Sequence, residues 1–337
     1  MWSRAAEARQ CPAGAELPRR AARRVLALVG GAVLAGLPAI ASPYLVYLAS
    51  VMAVQALFAT SLNLVLGFGG MLQLHQGAFF GLGAYALALA LVRGLWPFGM
   101  GFVLAPVVGA VAAFAVGWLA VRLRGLYFGM MTLALGQLFW AVVYRWYSFT
   151  GGDDGIHGIP IPQSLASLSG SFYLVMAVTA LALWALRRLV DSPFGLALTA
   201  IRDNPQRAES VGIDVRRHRL VALTLAGLFS GLAGGLFVVV ERSVSPGLLF
   251  WPLSAEALIM CLLGGMYTFW GPTVGAVAIV MLRTYLDIYT QNWLLVLGSL
   301  LLAVVLFLPD GLLGYARMRG PGALDDPARA VPEAKQA

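Results

Sequence analysis

Apolar runs of membrane-spanning length alternate with short polar interruptions along most of the chain. After a polar start they occur at residues 25–41, 43–66, 71–92, 98–121, 126–144, 172–186, 220–240, 254–269, 271–289 and 293–308. About 20 apolar residues cross the hydrocarbon layer as a helix, and lipid offers unpaired backbone groups no other partner, so each run predicts a helix. The pattern predicts an all-α polytopic membrane protein with about ten transmembrane or discontinuous helices.

Composition agrees with this reading. Of 337 residues 60% are hydrophobic and 11% charged, against about 25% charged in soluble domains. The net charge of +8 raises nucleic acid as a partner, but the arginines cluster at span flanks, where they act as topology signals instead. With the amino terminus inside, Arg122 and Arg124 follow four crossings, residues 192–219 follow six, and Arg317 and Arg319 follow ten. The segments 145–171 and 241–253 then fall outside with few positive charges. The expected organisation is an Arg-rich cytoplasmic tail over 1–24, a membrane domain over 25–312 holding a cytoplasmic loop at 192–219, and a disordered cytoplasmic tail over 313–337. Arg19, Arg20, Arg23 and Arg24 ahead of a run ending Ala39-Ile40-Ala41 mimic a cleavable signal peptide, although an uncleaved first helix suits a chain with many later spans. Cys11 and Cys261 form neither a disulfide framework nor a metal set.

Two spans carry similar punctuation. Gly69-Gly70-Met71 precedes Gly77-Ala78-Phe79-Phe80-Gly81, and Gly264-Gly265-Met266 precedes Gly271-Pro272-Thr273-Val274-Gly275. The pairing suggests an internal repeat with interrupted helices, which occur where protein or a water-filled cavity shields loose backbone. Small residues for close helix packing are the other reading of any single glycine.

Between two of the apolar runs lies SPFGLALTAIRDNPQRAESVGIDVRRHRL, residues 192–220. Residues 187–219 hold seven arginines against Asp191, Asp203, Glu209 and Asp214. Ser192 can cap a helix with Pro193 in its first turn, placing Phe194, Leu198 and Ile201 on one face. Asn204-Pro205 restarts the pattern and Gly212 stops it. Two capped amphipathic helices lying along the cytoplasmic surface suit a docking site better than a plain connector.

This segment, with the helix that follows it through Phe237, resembles the cytoplasmic loop of the permease subunits of ABC importers for branched-chain amino acids. LNLVLGFGGMLQLHQGAFFGLGAYA, RLRGLYFGMMTLALGQL, TGGDDGIHGIP and SPGLLFWPLSAEALIMCLLGGMYTFWGPTVGA resemble the same family in the same order, over roughly residues 45–312. The resemblance implies a multi-pass protein of the bacterial inner (plasma) membrane. Its partners would be a second permease subunit, two cytoplasmic ATP-binding subunits that hold ATP and Mg, and a periplasmic substrate-binding protein. This chain itself would carry no cofactor and no enzyme activity. Ala208-Glu209-Ser210-Val211-Gly212 matches the family's E-A-A-like core, which assigns ATPase coupling to Arg202, Arg207, Ala208, Glu209, Ser210 and Gly212. Asp203-Asn204-Pro205 departs from the family pattern.

No phosphate cradle is present, and Lys335 is the single lysine, so energy must come from outside the chain. Polar residues inside apolar runs are costly unless they face the bundle interior. Asn63, Gln73, His75, Gln76, Thr132 and Gln137 are therefore candidates for the translocation path, joined by Gly77, Gly264, Gly265 and Gly271 around the two breaks; His75 there either titrates or serves as a hydrogen-bonded core residue. Interrupted helix ends can meet the carboxylate and ammonium of an amino acid without charged side chains. Thr150, Gly151, Gly152, Asp154 and Gly155 form an external turn or part of the periplasmic mouth, and Asp153, Asp154 and His157 are a poor metal set. Leucine, isoleucine and valine lead as substrates; urea, short amides and other amino acids stay open. A stand-alone secondary carrier would need buried acids, and Glu256 and Asp287 lie near span ends. An intramembrane enzyme pairing His75 with Asp153 or Asp154 is opposed by the topology, which puts them on opposite sides.

Overall fold

The computed structural model describes residues 41–123 and 125–289, together with 38, 295, 298, 299, 302 and 311–313. By its contacts the chain divides into Met1–Val46 and Tyr47–Ala337. Of the first unit Pro38 and residues 41–46 are described, and their last four residues open the first helix. The account below concerns the second unit.

Helix α1 (Pro43–Asn63) runs directly into a π-helical turn, Leu64–Phe68. It is followed by α2 (Gln76–Val92), α3 (Phe98–Ala120) and α4 (Leu126–Arg145). Two single turns, α5 (Tyr147–Thr150) and α6 (Gln163–Ala166), lead to α7 (Leu168–Val190). Then come α8 (Pro193–Asp203), α9 (Pro205–Ser210), α10 (Val215–Glu241), α11 (Trp251–Gly264) and α12 (Gly271–Tyr289). Among these, α1 with its π-turn, α3, α4, α7 and α10 are long and apolar enough to cross a membrane; α2, α11 and α12 are shorter apolar helices. The chain is an all-α, multi-pass membrane protein. The apolar run at 172–186 becomes a longer helix because its flanks, capped by Ser167 accepting from the Gly170 amide, continue the turn. The runs at 25–41 and 293–308, and the tails over 1–24 and beyond 313, lie wholly or mostly outside the described residues, as does Arg124.

One departure from pure helix joins distant parts of the chain. Strand β1 (Ile156–His157), in the segment after α4, pairs antiparallel with β2 (Ser243–Val244), which follows α10.

Helix α10 is the centre of the bundle and packs chiefly on α3 and α2. Lipid tails are as apolar as leucine, so helices associate through close contact between small residues more than through hydrophobic burial. Gly231 shows this: a Cβ there would stand 2.5 Å from the Ala105 carbonyl oxygen and 3.0 Å from Gly109 Cα, while one on Gly83 would meet the Gly231 oxygen at 2.4 Å. Three helices thus meet backbone to backbone at a single residue. Larger buried side chains, among them Phe58, Phe80 and Leu223, belong to the main apolar core of these helices.

The two glycine clusters resolve into breaks and packing. The first break is the non-helical stretch 69–75; Gly77, Gly81 and Gly83 follow the packing alternative and lie inside α2. The second is 265–270, and Gly271 to Gly275 already belong to α12.

Candidate functional site

Helices α8 and α9 are held from beneath. Pro193 occupies the first turn of α8 with Ser192 extended before it, but the Ser192 hydroxyl donates to the Leu189 carbonyl (2.6 Å) and does not cap α8. Leu198 and Ile201 are fully buried and Phe194 is half-buried, as their shared face predicts. Asn204, extended, caps α9 by accepting from the Arg207 amide at 2.9 Å, with Pro205 in the first turn. Gly212 ends the element at φ +90°, a conformation open to glycine. Ile201, Ala208 and Val215 then close a small apolar core with Ile213, and Asp214 caps α10 through the Arg217 amide. Sequence signals at Pro193, Asn204 and Gly212 therefore set both helices.

The opposite face is outward. Arg207, Glu209, Ser210 and Gly212 are exposed, and so are Leu196 (68%) and Val211 (76%). An exposed leucine and an exposed valine thus stand among the charged residues of this segment. Neither was a sequence candidate. Leu196 carried a weak signal, since it falls off the Phe194-Leu198-Ile201 face of an otherwise polar segment.

Arg202 is turned the other way, into the membrane domain, where its guanidinium donates to the Gly67 carbonyl at 2.9 Å. Next to it the two breaks come together: Asn63 Nδ2 donates to the Thr268 carbonyl at 3.3 Å, and the space beside Gly67 is taken by the Met266 carbonyl. Residues 70–72 of the first break also border a cavity of about 300 Å³ with Val121, Phe128 and Arg219. Part of the irregular backbone of the first break is thus buried, at Met71 and Gln73, while Gly70 and Leu72 are exposed beside this cavity.

Where the first break ends, a buried polar network begins. Gln76, the first residue of α2, accepts from Gln73 (2.7 Å) and donates to Ser61 (2.8 Å) and to the Ala226 carbonyl (3.2 Å). Ser230 donates to the Gln76 carbonyl, and Ser254 accepts from the Gly77 amide at 2.8 Å. Four elements thus converge on one helix start: α1, α2, α10 and α11. His75 is fully buried, its ring edge-on to Phe79 at 4.6 Å, with Gly136 of α4 against its Cβ. Thr132 of α4 is buried and bonds to its own helix at the Gly129 carbonyl; Gln137 is half-buried one turn further on. Among the described residues, Asn63 Oδ1, Gln73 Oε1 and both His75 ring nitrogens have no hydrogen-bond partner. Gly264, Gly265 and Gly271 line the second break, where Gly264 and Gly271 meet backbone to backbone. The structure therefore brings Gln73, Gln76 and Gly77 into one hydrogen-bonded network with His75 beside it in the chain, while Asn63 joins the first break to the second through Thr268.

Replacing Gln76→Leu strips Gln73, Ser61 and the Ala226 carbonyl of a partner at once. Interhelical hydrogen bonds within membranes average about 0.6 kcal/mol each, so a loss of about 2 kcal/mol is expected. Thermal unfolding of the detergent-solubilised protein measures it, and an unchanged midpoint would count against the network.

The segment after α4 is held by its own hydrogen bonds. The Thr150 hydroxyl lies 2.6 Å from the Val143 carbonyl and 2.8 Å from that of Trp146. Gly151, Gly152 and Gly155 all have positive φ, and Tyr147 donates to Asp154 at 3.2 Å. Gly152 is buried and Asp154 exposed. Among the described residues no three His, Cys, Asp or Glu side chains gather as a metal site.

Comparison with known proteins covers this whole arrangement. The family model described as "branched-chain amino acid transport system / permease component" matches residues 44–306. The high-affinity branched-chain amino acid transport system permease protein LivM of Salmonella typhimurium is 30% identical over 315 residues, covering 83% of this chain and 73% of that protein. The protein of the same name from Escherichia coli gives the same figures, 30% identity with 83% and 73% coverage. The autoinducer 2 import system permease protein LsrC of an Enterobacter species is 34% identical over 264 residues, covering 74% of this chain and 73% of that one. No solved structure matches. Since the matched span runs from α1 past α12 and takes in the α8–α9 pair, both breaks and the polar network, the chain belongs to the branched-chain amino acid transport system permease family.

Proposed function

We propose that this chain is the membrane permease subunit of an ATP-driven importer that carries leucine, isoleucine and valine inward, the substrate being delivered by a periplasmic binding protein. The observation that carries the reading is the α8–α9 pair, pinned through Leu198, Ile201 and Ala208 while Leu196, Arg207, Glu209 and Val211 face outward. A soluble ATPase needs such a handle, whereas a carrier that works alone does not. In this reading the loop at 192–219 and both termini are cytoplasmic, about ten crossings with an internal repeat lie in the inner membrane, and a second permease subunit and two ATPases complete the assembly.

Substrate passes through the neighbourhood of Asn63, Gln73, His75 and Gln76, with Thr132 and Gln137 on its α4 side and the second break at Gly264, Gly265 and Gly271 beside it. Uncharged amides and helix ends hold a zwitterion weakly, and weak binding permits release. Thr150, Gly151, Gly152, Asp154 and Gly155 shape the periplasmic mouth. The autoinducer 2 permease among the relatives keeps a second substrate class, a small polar non-amino-acid, in view.

The test is uptake by the complex that co-purifies with the tagged chain, reconstituted in liposomes with its binding protein. Labelled leucine, isoleucine or valine should accumulate only with ATP. Accumulation by the chain alone without ATP, or labelling of the Ser210→Cys variant from outside intact cells, would overturn the proposal.

A further inference from the structure

Arg202 stands out from the other charged residues of α8 and α9 because its guanidinium bridges Asp203 of its own helix and a backbone carbonyl at the first break. One terminal nitrogen donates to the Gly67 carbonyl at 2.9 Å; the other donates to Asp203 Oδ1 at 2.9 Å and Nε to the same oxygen at 3.0 Å. The flat group lies over the ring of Tyr267, 5.1 Å from its centroid. Its aliphatic stem packs on Gly70, which has φ +64° and where a Cβ would come within 2.6 Å of Arg202 Cγ. Gly67 and Gly70 flank the end of the first interrupted helix, and Tyr267 sits in the second break.

The acceptor has a physical reason to attract arginine. The π-turn Leu64–Phe68 is the last turn of a continuous helix of 26 residues, and the final carbonyls of any helix lack intrahelical partners and carry the negative end of its dipole. Leu66 and Val65 are served by the Gly70 and Met71 amides; Gly67 is served by Arg202 from another element. A second arginine meets the second break, since Arg187, at the end of α7, lies 5.6 Å and 5.8 Å over Phe269 and Trp270, beside the Tyr267 that Arg202 covers. Both segments that enter and form the outward-facing handle therefore grip the 265–270 turn.

We propose that Arg202 is the positioning residue through which displacement of α8 reaches both helix breaks together. This deepens the function proposed above and rests on it. The outward residues Arg207 and Glu209 meet the motor, and Arg202 passes the movement to Gly67, Gly70 and Tyr267. Arginine suits this role because one planar group can donate in its plane while its face rests on an aromatic ring, which lysine cannot do.

The experiment uses the complex that travels with the tagged chain, reconstituted in liposomes, with leucine uptake and ATP hydrolysis measured in parallel. For Arg202→Gln the ATPases should remain bound while uptake per ATP falls about tenfold, the factor carried by one hydrogen bond to a charged group. Tyr267→Leu should lower the same ratio about threefold, and the double variant should be no worse than Arg202→Gln because both remove one shared contact. Arg202→Lys should fall between wild type and Arg202→Gln. If Arg202→Gln does not accumulate, Arg202→Lys and Tyr267→Leu decide alone. A wild-type ratio in these variants overturns the proposal, as do loss of the ATPases from the complex and losses that multiply in the double variant. Failure of the wild-type complex to need ATP is a different outcome, and it strikes the proposed function instead.

Discussion

Gly231→Leu should remove folded protein from the membrane. The contact geometry leaves no room for any side chain: even the first carbon would lie 2.5 Å from the Ala105 carbonyl oxygen and 3.0 Å from Gly109 Cα. Those obstacles are backbone, which cannot rotate aside as a side-chain tip does. Helices α3 and α10 would have to part, and the seam with α2 would open with them, because Gly83 packs on Gly231 from the other side. Overpacking a core by one or two carbons costs about 1–3 kcal/mol. Forcing apart three helices in contact along their backbones should cost about 5 kcal/mol or more, comparable to a whole domain's stability. The check is the yield of monodisperse protein in mild detergent, with Gly99→Leu as comparison. Gly99 lies in the first turns of α3 with nothing within 4 Å of its added carbon, so that variant should accumulate normally. Equal yields for the two would show that α10 is not packed as described.

How far the sequence reveals this molecule depends on the range of the interaction concerned. Apolar runs mark α1 to α4, α7 and α10 to α12 because a span is a local property. Local chemistry also marks α8 and α9, since Pro193, Asn204 and Gly212 act on their own neighbours. Glycine is ambiguous at this level: Gly69 and Gly70 end a helix, while Gly77, Gly81 and Gly83, a few residues on, sit inside one and serve contacts with α10 and its neighbours. Only the partner across the seam distinguishes the two uses. In the same way Asn63, Gln73, His75 and Gln76 are recognisable as polar residues in apolar runs, but their bonds to Ser61, Ala226 and Thr268 are long-range facts. Arg202 and Arg207 look alike in the sequence, five residues apart on charged helices. Tertiary packing turns one toward Gly67 and leaves the other outward.

Loss of the ATPase subunits is the expected result of changing the outward face of α8 and α9, and two pairs of substitutions should reach it by different physics. Leu196→Asp with Val211→Asp places carboxylates where exposed aliphatic side chains offer apolar contact. Buried at an interface, an unpaired charge is expensive, and the aliphatic contact is lost as well. Arg207→Glu with Glu209→Arg keeps the net charge but inverts its pattern, turning attraction into repulsion wherever the partner is complementary. A single hot-spot residue carries about 2 kcal/mol, so each pair, with one such residue in it, should lower ATPase association about thirtyfold or more. Because all four side chains point outward, neither pair should unfold the membrane domain, since surface changes of this kind stay within about 0.5 kcal/mol. Salt separates the two mechanisms: above about 0.5 M the reversed charges should be screened and part of the association recovered, whereas the aspartate pair should stay defective at every ionic strength. ATPase retained on affinity-purified membrane subunits measures both. If the two variants hold it at wild-type levels while folding normally, α8 and α9 are not where the motor docks, and the outward leucine and valine face some other partner.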